Sequence, residues 1–385
     1  MKYPSICRWG ILGAATIARK NWKSIHRSGN GVVTAVASRD LSRAETFIRD
    51  CSMEVPPVTV DEHGDATLLR PAALSDYAEL LQRDDVDAVY VALPTVVRKE
   101  WVLAAAAAGK HVLSEKPVAV HTDDAQEMIQ ACRQAGVGFM DGVMFDHGAR
   151  LPALRKTLAD SEGVGQLHRI QSHFSFHGGE DFDRTNIRAK AAFEPHGCLG
   201  DLGWYCIRFS LWAADRRLPV RVAGRSLWQL DGGQVPGEFQ AELDFGDGLT
   251  AGFFCSFRGA NQQTVTLTGE RGYVTVDDFV LPFVGAESQW QLHNHDLRVD
   301  NCRWNFGRHT IGHAVWEHAS GEPESQEVRM FRTFADRVVE SSADTWEERW
   351  SDATELVLKT QQVLNGLRDS DARSGSWVTL AGSAI

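Results

Sequence analysis

The sequence has no run of lysine and arginine, and its formal net charge is −11. A nucleic-acid surface needs a basic stripe to neutralise phosphates, so no such partner is expected. Long apolar runs are missing as well. WVLAAAAAG (101–109) falls far short of the roughly 20 residues that cross a bilayer, so no membrane span is expected. The first apolar run, ICRWGILGAA (6–15), is short and leads into a turn and helix, unlike a secretory leader. A cytoplasmic protein is the expectation. The cysteines at 7, 51, 132, 198, 206, 255 and 302 are odd in number and never in C-x-x-C spacing. That pattern suits reduced thiols and argues against a disulfide framework or a zinc site. Internal repeats and low-complexity segments are absent too.

What is present is ordinary globular composition, 43% hydrophobic and 24% charged. A chain of 385 residues exceeds the about 250–300 that one core sustains, so two domains are expected. The patterning places them at 1–143 and 144–385, with the C-terminal helices available to pack back on the first. Over 1–143, short continuous apolar runs alternate with helical patterns: 8–12, VVTAVAS (32–38), DAVYVAL (87–93), HVLSE (111–115) and VGFMDG (137–142). Continuous apolar strands separated by helices indicate a parallel sheet covered on both faces, a doubly wound α/β Rossmann plan. CSMEVPPVTVDEHGDATLLRP (51–71) reads as a turn-rich surface insertion. Beyond residue 166 the strands alternate polar and apolar and are joined by glycine turns such as FGDGL (245–249) and TGERG (268–272). Such patterning predicts a large, mostly antiparallel open sheet in an α+β domain. Helices are expected at about 198–213, 323–342 and 351–368.

Three segments carry chemistry. In GILGAATIA (10–18), Gly13, Ala15 and Ala18 occupy the positions of the G-x-G-x-x-G/A turn that seats a dinucleotide pyrophosphate. The middle glycine is replaced by Ala15, whose single methyl asks only for a slightly displaced pyrophosphate. Gly13, Ala14, Ala15, Thr16 and Ile17 are the expected phosphate-binding residues, at a helix N-terminus whose N–H groups attract anions. A strand–turn–helix of small residues with no ligand is the plain alternative. The strand at 32–38 ends in Ser38-Arg39 instead of the Asp or Glu that an NAD site places on the ribose 2′-hydroxyl. A hydroxyl and a guanidinium suit a 2′-phosphate, so NADP is favoured, with NAD possible. A solvated surface arginine is the plain reading of Arg39. Finally, Glu115-Lys116-Pro117 ends a parallel strand, where α/β sheets bind ligands.

With HVLSEKPVAV (111–120), GVGFMDGVMF (136–145), the N-I-R triplet (186–188) and HGCLGDLGWYC (196–206), the chain resembles the glucose–fructose oxidoreductase / inositol dehydrogenase (Gfo/Idh/MocA) family. The resemblance runs nearly end to end. ASRDLSRA (37–44) and GDLGWYCIRF (200–209) make it most similar to the dimeric dihydrodiol dehydrogenase and D-xylose dehydrogenase branch. The resemblance implies an NADP-dependent dehydrogenase or reductase acting on a sugar, polyol or cyclic diol, assembled as a homodimer or higher homo-oligomer. Lys116 matches the family's catalytic lysine. Asp201 and Tyr205 match its substrate-facing pair, and i, i+4 spacing puts them on one helical face. Leu93, Pro94, Thr95 and Glu115 are implied around the cofactor; Arg98, Arg188 and His196 are implied at the substrate. An amphipathic core position is the plain alternative for Tyr205.

Departures fall on the substrate side. Related sequences usually carry Asn and His where this chain has Thr95 and Arg98. An M-Y-R-H-H-P-like run reads Met144-Phe145-Asp146-His147-Gly148-Ala149 here, and a glycine-rich run reads Pro195-His196-Gly197. A dinucleotide-binding sensor or regulator without turnover is the alternative function. His293, His295, His309, His313 and His318 cluster in sequence, with His309 and His313 at helical spacing, but no carboxylate or cysteine completes a ligand pattern. No metal is expected, and GRHTIGHAVWEHASGEPES (307–325) reads as loop.

Overall fold

The computed structural model describes residues 6–60, 66–160, 163–318, 322–339, 345–380 and 382. The N-terminal elements are β1 (Cys7–Leu12), α1 (Thr16–Arg27), β2 (Gly31–Ala37), α2 (Leu41–Glu54), β3 (Val58–Val60), β4 (Ala66–Leu68), β5 (Ala72–Leu74) and α3 (Tyr77–Leu81). There follow β6 (Ala88–Val91), α4 (Thr95–Ala107), β7 (His111–Ser114), α5 (Thr122–Gln134), β8 (Phe139–Asp141), α6 (Arg150–Ala159), β9 (Leu167–His177), α7 (Phe182–Thr185) and α8 (Trp204–Ala213). The remainder comprises β10 (Arg221–Leu230), β11 (Val235–Asp244), β12 (Thr250–Ser256), β13 (Arg258–Gly269), β14 (Gly272–Val276), β15 (Glu287–Asp300) and β16 (Arg303–Trp316). It ends with α9 (Gln326–Val339), α10 (Trp346–Ala372) and β17 (Val378–Thr379). Two compact units result: Met1–His147 with Ser320–Gln361, and Gly148–Ala319 with Gln362–Ile385.

The first unit holds a parallel six-stranded sheet in the order β5-β2-β1-β6-β7-β8. The chain winds outward one way from β1 and the other way from β6, so the topological switch point lies between these two strands. Ligands of open α/β sheets bind at the carboxyl ends of strands at such a point. Every residue of β6 is buried, which is why these strands read as unbroken apolar runs. The C-terminal helices complete this core. Phe331 and Phe334 of α9 pack on Trp9 with ring centroids 5.3 and 5.0 Å apart, and Trp350 of α10 meets Phe334 at 5.1 Å.

The second unit is built on a nine-stranded sheet, β16-β15-β14-β13-β9-β12-β11-β10-β17. Only β9 and β12 pair in parallel; the other described pairings are antiparallel. α8 is buried at every position except Trp212, so it reads as apolar all round. A buried ion pair from Arg150 to Asp278 ties the start of α6 to the segment after β14.

Some sequence expectations change. Within 51–71, α2 extends to Glu54, β3 and β4 form a hairpin, and residues 61–65 lie outside the described residues. Ala72–Leu74, just past it, joins the parallel sheet beside β2, a strand too short for its own pattern to reveal. The expected loop at 307–325 is strand through Trp316, paired with β15 along its whole length; 319–321 lie outside the described residues. The helix expected from 198 opens as a π turn, Leu199–Gly203, before α8. The helices expected at 323–342 and 351–368 span 326–339 and 346–372, and 340–342 lie outside the described residues.

Candidate active site

The turn after β1 is built for close backbone approach. Gly13 sits at φ 100°, its N–H donates to Ala37 O at 2.9 Å, and a Cβ there would stand 2.8 Å from Ala92 O. Only glycine fits. Ala15 is the N-cap of α1 (φ −85°, ψ 159°) and makes no side-chain capping bond; the first turn carries no acid. Helix N-termini are usually satisfied by a Ser, Thr, Asp or Asn cap. Here Thr16 and Ile17 open the helix, at positions whose N–H groups the helix itself does not satisfy and which favour an anion. Ala15 thus substitutes for a glycine and also leaves the cap position without an acceptor.

At the end of β2, Ser38 is buried and its N–H donates to Leu74 O at 3.0 Å, so β5 fixes this corner. Asp40 is turned away from any ribose role. Its carboxylate caps α2, accepting from Ser42 N at 2.9 Å and Ser42 Oγ at 2.8 Å, and these bonds hold its pKa below the ordinary value. Arg39 is exposed. Sequence reading missed Arg43, four residues on. Burial pushes the Tyr77 phenol up, and the cations of Arg39 and Arg43 both oppose that push. Arg43, in the first turn of α2, thus adds a second cation near this corner. The i, i+4 repeat of arginine in S-R-D-L-S-R was the available signal.

Leu93, Pro94 and Thr95 follow β6 and open α4, while Glu115 and Lys116 follow β7. Tyr90 Oη donates to Glu115 Oε1, Asn21 Nδ2 donates to Tyr90 Oη at 2.6 Å, and the Lys116 N–H donates to Glu115 Oε2 at 3.3 Å. Burial, reinforced by the Glu115 charge, pushes the Tyr90 phenol well above its ordinary pKa, so it serves as a neutral donor. Asn21 and Tyr90 were not anticipated; from sequence they are helix and strand residues like their neighbours. The Lys116–Pro117 peptide is cis. Arg98, expected against substrate, is 3% exposed, and its Nε donates to Leu93 O at 2.7 Å while Nη1 donates to Pro117 O.

In the second unit, Asp201 lies in the π turn, not on a regular α-helical face with Tyr205 as the spacing implied. Its Oδ2 pairs with Arg188 Nε at 3.0 Å. Asn186 positions that arginine by accepting from the Arg188 N–H at 3.0 Å, so the N-I-R triplet is a cap plus a delivered cation. Tyr205 is 7% exposed, with its ring 5.8 Å from Phe174. His196 is buried. The histidines of β15 and β16 are dispersed in use: His293 bonds Thr275 and Thr310, His309 pairs with Asp296, and His313 stacks on Trp290. Among the described residues no group of three His, Cys, Asp or Glu could hold a metal ion.

A glycine turn at the switch point, a helix N-terminus without a side-chain cap and a lysine at the end of another strand of the same sheet define a dinucleotide-binding α/β protein. Comparison with known proteins agrees. Residues 7–143 match the model described as "Oxidoreductase family, NAD-binding Rossmann fold", and 153–275 match the Gfo/Idh/MocA C-terminal domain. A dTDP-3,4-didehydro-2,6-dideoxy-alpha-D-glucose 3-reductase of Saccharopolyspora spinosa is 30% identical over 291 residues, 74% of this chain and 77% of its own. A trans-1,2-dihydrobenzene-1,2-diol dehydrogenase of Mus musculus is 28% identical over 278 residues, 71% of this chain and 76% of its own. Among solved structures, KijD10, a 3-ketoreductase from Actinomadura kijaniata in complex with NADP and TDP-benzene, shares the fold. The TM-score is 0.73 at 24% identity, over 95% of this chain and 98% of that one. The chain belongs to the Gfo/Idh/MocA family of oxidoreductases.

Proposed function

We propose that this protein is an NADP-dependent oxidoreductase that moves a hydride between nicotinamide and a carbinol or carbonyl carbon of a sugar, polyol or cyclic diol. The observation that carries it is Lys116, held at the carboxyl end of β7 in the same sheet whose β1 turn leaves a helix N-terminus open to an anion. The residues fit a dinucleotide. Gly13, Ala14, Ala15, Thr16 and Ile17 take the pyrophosphate; Ser38 and Arg39, joined by Arg43, take the 2′-phosphate; Leu93, Pro94, Thr95 and Glu115 border the nicotinamide half. When bound, the cofactor supplies the hydride acceptor or donor.

The chain's own task is the proton. Oxidising a carbinol releases a hydride and a hydroxyl proton, and the latter needs a positioned acceptor. Lys116 supplies a cation that favours an alkoxide, and Tyr205 exchanges the proton. Asp201, oriented by Arg188, and His196 bind substrate hydroxyls. The substrate class is supported by relatives named for a cyclic diol and a nucleotide-linked sugar. A homodimer or higher homo-oligomer, in the cytoplasm, belongs to the same proposal. Support for assembly comes from the cross-strand pairs Leu297/Phe306 and Val299/Trp304, four exposed large apolar side chains on one face of the β15–β16 hairpin.

The test is NADPH formation or consumption across pentoses, hexoses, inositols and dihydrodiols, with carbonyl partners for the reverse direction. Turnover with at least one class is expected. Tight NADP binding with no turnover on any of them would favour a sensor.

A further inference from the structure

We infer that Arg98 is a positioning residue for Lys116, clamping the loop that carries the lysine onto the turn that follows β6. Its functional consequence rests on the oxidoreductase reading above; the clamp itself does not. Arginine is almost never fully buried unless its donors are matched. This one is 3% exposed and sits in the first turn of α4. A cation there opposes the helix dipole, so the position is not explained by helix electrostatics. Contact explains it. Nε donates to Leu93 O, which belongs to the turn after β6, and Nη1 donates to Pro117 O, one residue past Lys116. Thr95 Oγ1 approaches the same Pro117 carbonyl at 3.5 Å.

The opposite flank of Lys116 is fixed independently. Glu115 is held by Tyr90, which is held by Asn21; on the Pro117 side, Ala119 N–H also donates to Gln361 Oε1 at 3.2 Å. The backbone on both sides of the half-buried lysine is therefore fastened. A guanidinium presents its Nε and Nη1 donors in fixed, divergent directions, which lets it bridge two carbonyls on different loops. A neutral imidazole at the same position has a single N–H and could hold one of them. The guanidinium is thus a device of this chain that makes lysine placement depend on the turn bordering the cofactor.

Full-length Arg98→Met and Arg98→Lys proteins test this against the parent. Backbone amide exchange over 113–120 is expected to accelerate about tenfold or more in Arg98→Met, with the rest of the first unit unchanged. NADPH affinity, read by fluorescence titration, is expected to stay within about threefold. With a turnover substrate, kcat is expected to fall about 10- to 100-fold at nearly constant KM, since small misplacements of a reacting group cost that much. Arg98→Lys, which can still reach a carbonyl, should recover part of both losses. If Arg98→Met does not fold, the same exchange and kcat comparisons made on Arg98→Lys and Arg98→Gln decide the matter. Unchanged exchange over 113–120 overturns the clamp. Faster exchange with unchanged kcat overturns the positioning role. Absence of turnover in the parent protein overturns the oxidoreductase reading and leaves the exchange result standing for the clamp.

Discussion

Arg39 and Arg43 bring two guanidinium charges to the corner where β2 hands over to α2, and Asp40 between them is already engaged in capping. A carboxylate free to bind a ribose 2′-hydroxyl is therefore missing where an NAD site would keep one. Arg39→Asp should reverse the preference. Losing a charge-assisted contact of about 1.5–3 kcal/mol weakens NADP by roughly 10- to 150-fold, while NAD improves or holds. Cofactor titrations check this, and an unchanged NADP-to-NAD ratio removes Arg39 from the role. The placement of such residues was only partly legible in sequence. Lys116 and Arg39 stand at strand ends, where pattern and chemistry coincide. Arg98 looked like a substrate contact because nothing in a linear sequence reports that a carbonyl 19 residues away will meet its guanidinium. Asn21 and Tyr90 were invisible for the same reason.

At the scale of elements, α1 shows how a helix end is left open for a ligand. Ala15 offers no acceptor to its own helix, so α1 gives up a stabilising cap. Ala15→Asp should stabilise the ligand-free protein by about 1 kcal/mol through capping, seen as a raised thermal midpoint. The same change should weaken NADPH binding about tenfold or more, because a carboxylate then occupies the anion's place. Equal or tighter binding by that variant would show that the turn works in another way. Ala15→Gly, by contrast, should leave binding intact or improve it. Elements with continuous apolar runs, β1, β2, β6, β7 and β8, announced themselves because both faces are covered. β16 did not. Its Gly, His and Thr residues carry no strand pattern, and its conformation is set by pairing with β15. The π turn at Leu199–Gly203 was likewise hidden, since a helical spacing does not distinguish an i+5 from an i+4 bond.

For the molecule as a whole, two half-buried histidines of the first unit set an acid limit. Burial lowers the pKa of His26 and of His111 to about 4, from an ordinary 6.5. Between those values the unfolded chain binds protons that the folded chain refuses, so stability falls as pH drops from 6.5 towards 4. Each histidine contributes at most about 3 kcal/mol to that loss. His111 also accepts from Gly138 N–H at 2.8 Å, a bond that protonation of Nδ1 forfeits. Thermal midpoints of the parent should fall more steeply over this window than those of His26→Gln/His111→Gln; parallel curves would contradict the assignment. Assembly is tested at the same scale. Replacing Trp304 and Phe306 together by serine should shift the protein towards monomer in light scattering. An unchanged mass would place the interface elsewhere.

The central claim, hydride transfer from a lysine-equipped dinucleotide site, is tested most directly by Lys116→Ala. Absorbance at the reduced-nicotinamide band is followed with NADP and the best substrate of the panel, alongside NADPH fluorescence titration of the same protein. The account expects turnover to fall by about a thousandfold or more while NADPH affinity changes little, since a transition-state interaction is removed and cofactor contacts remain. Turnover close to that of the parent, or turnover lost only because NADPH no longer binds, would contradict it.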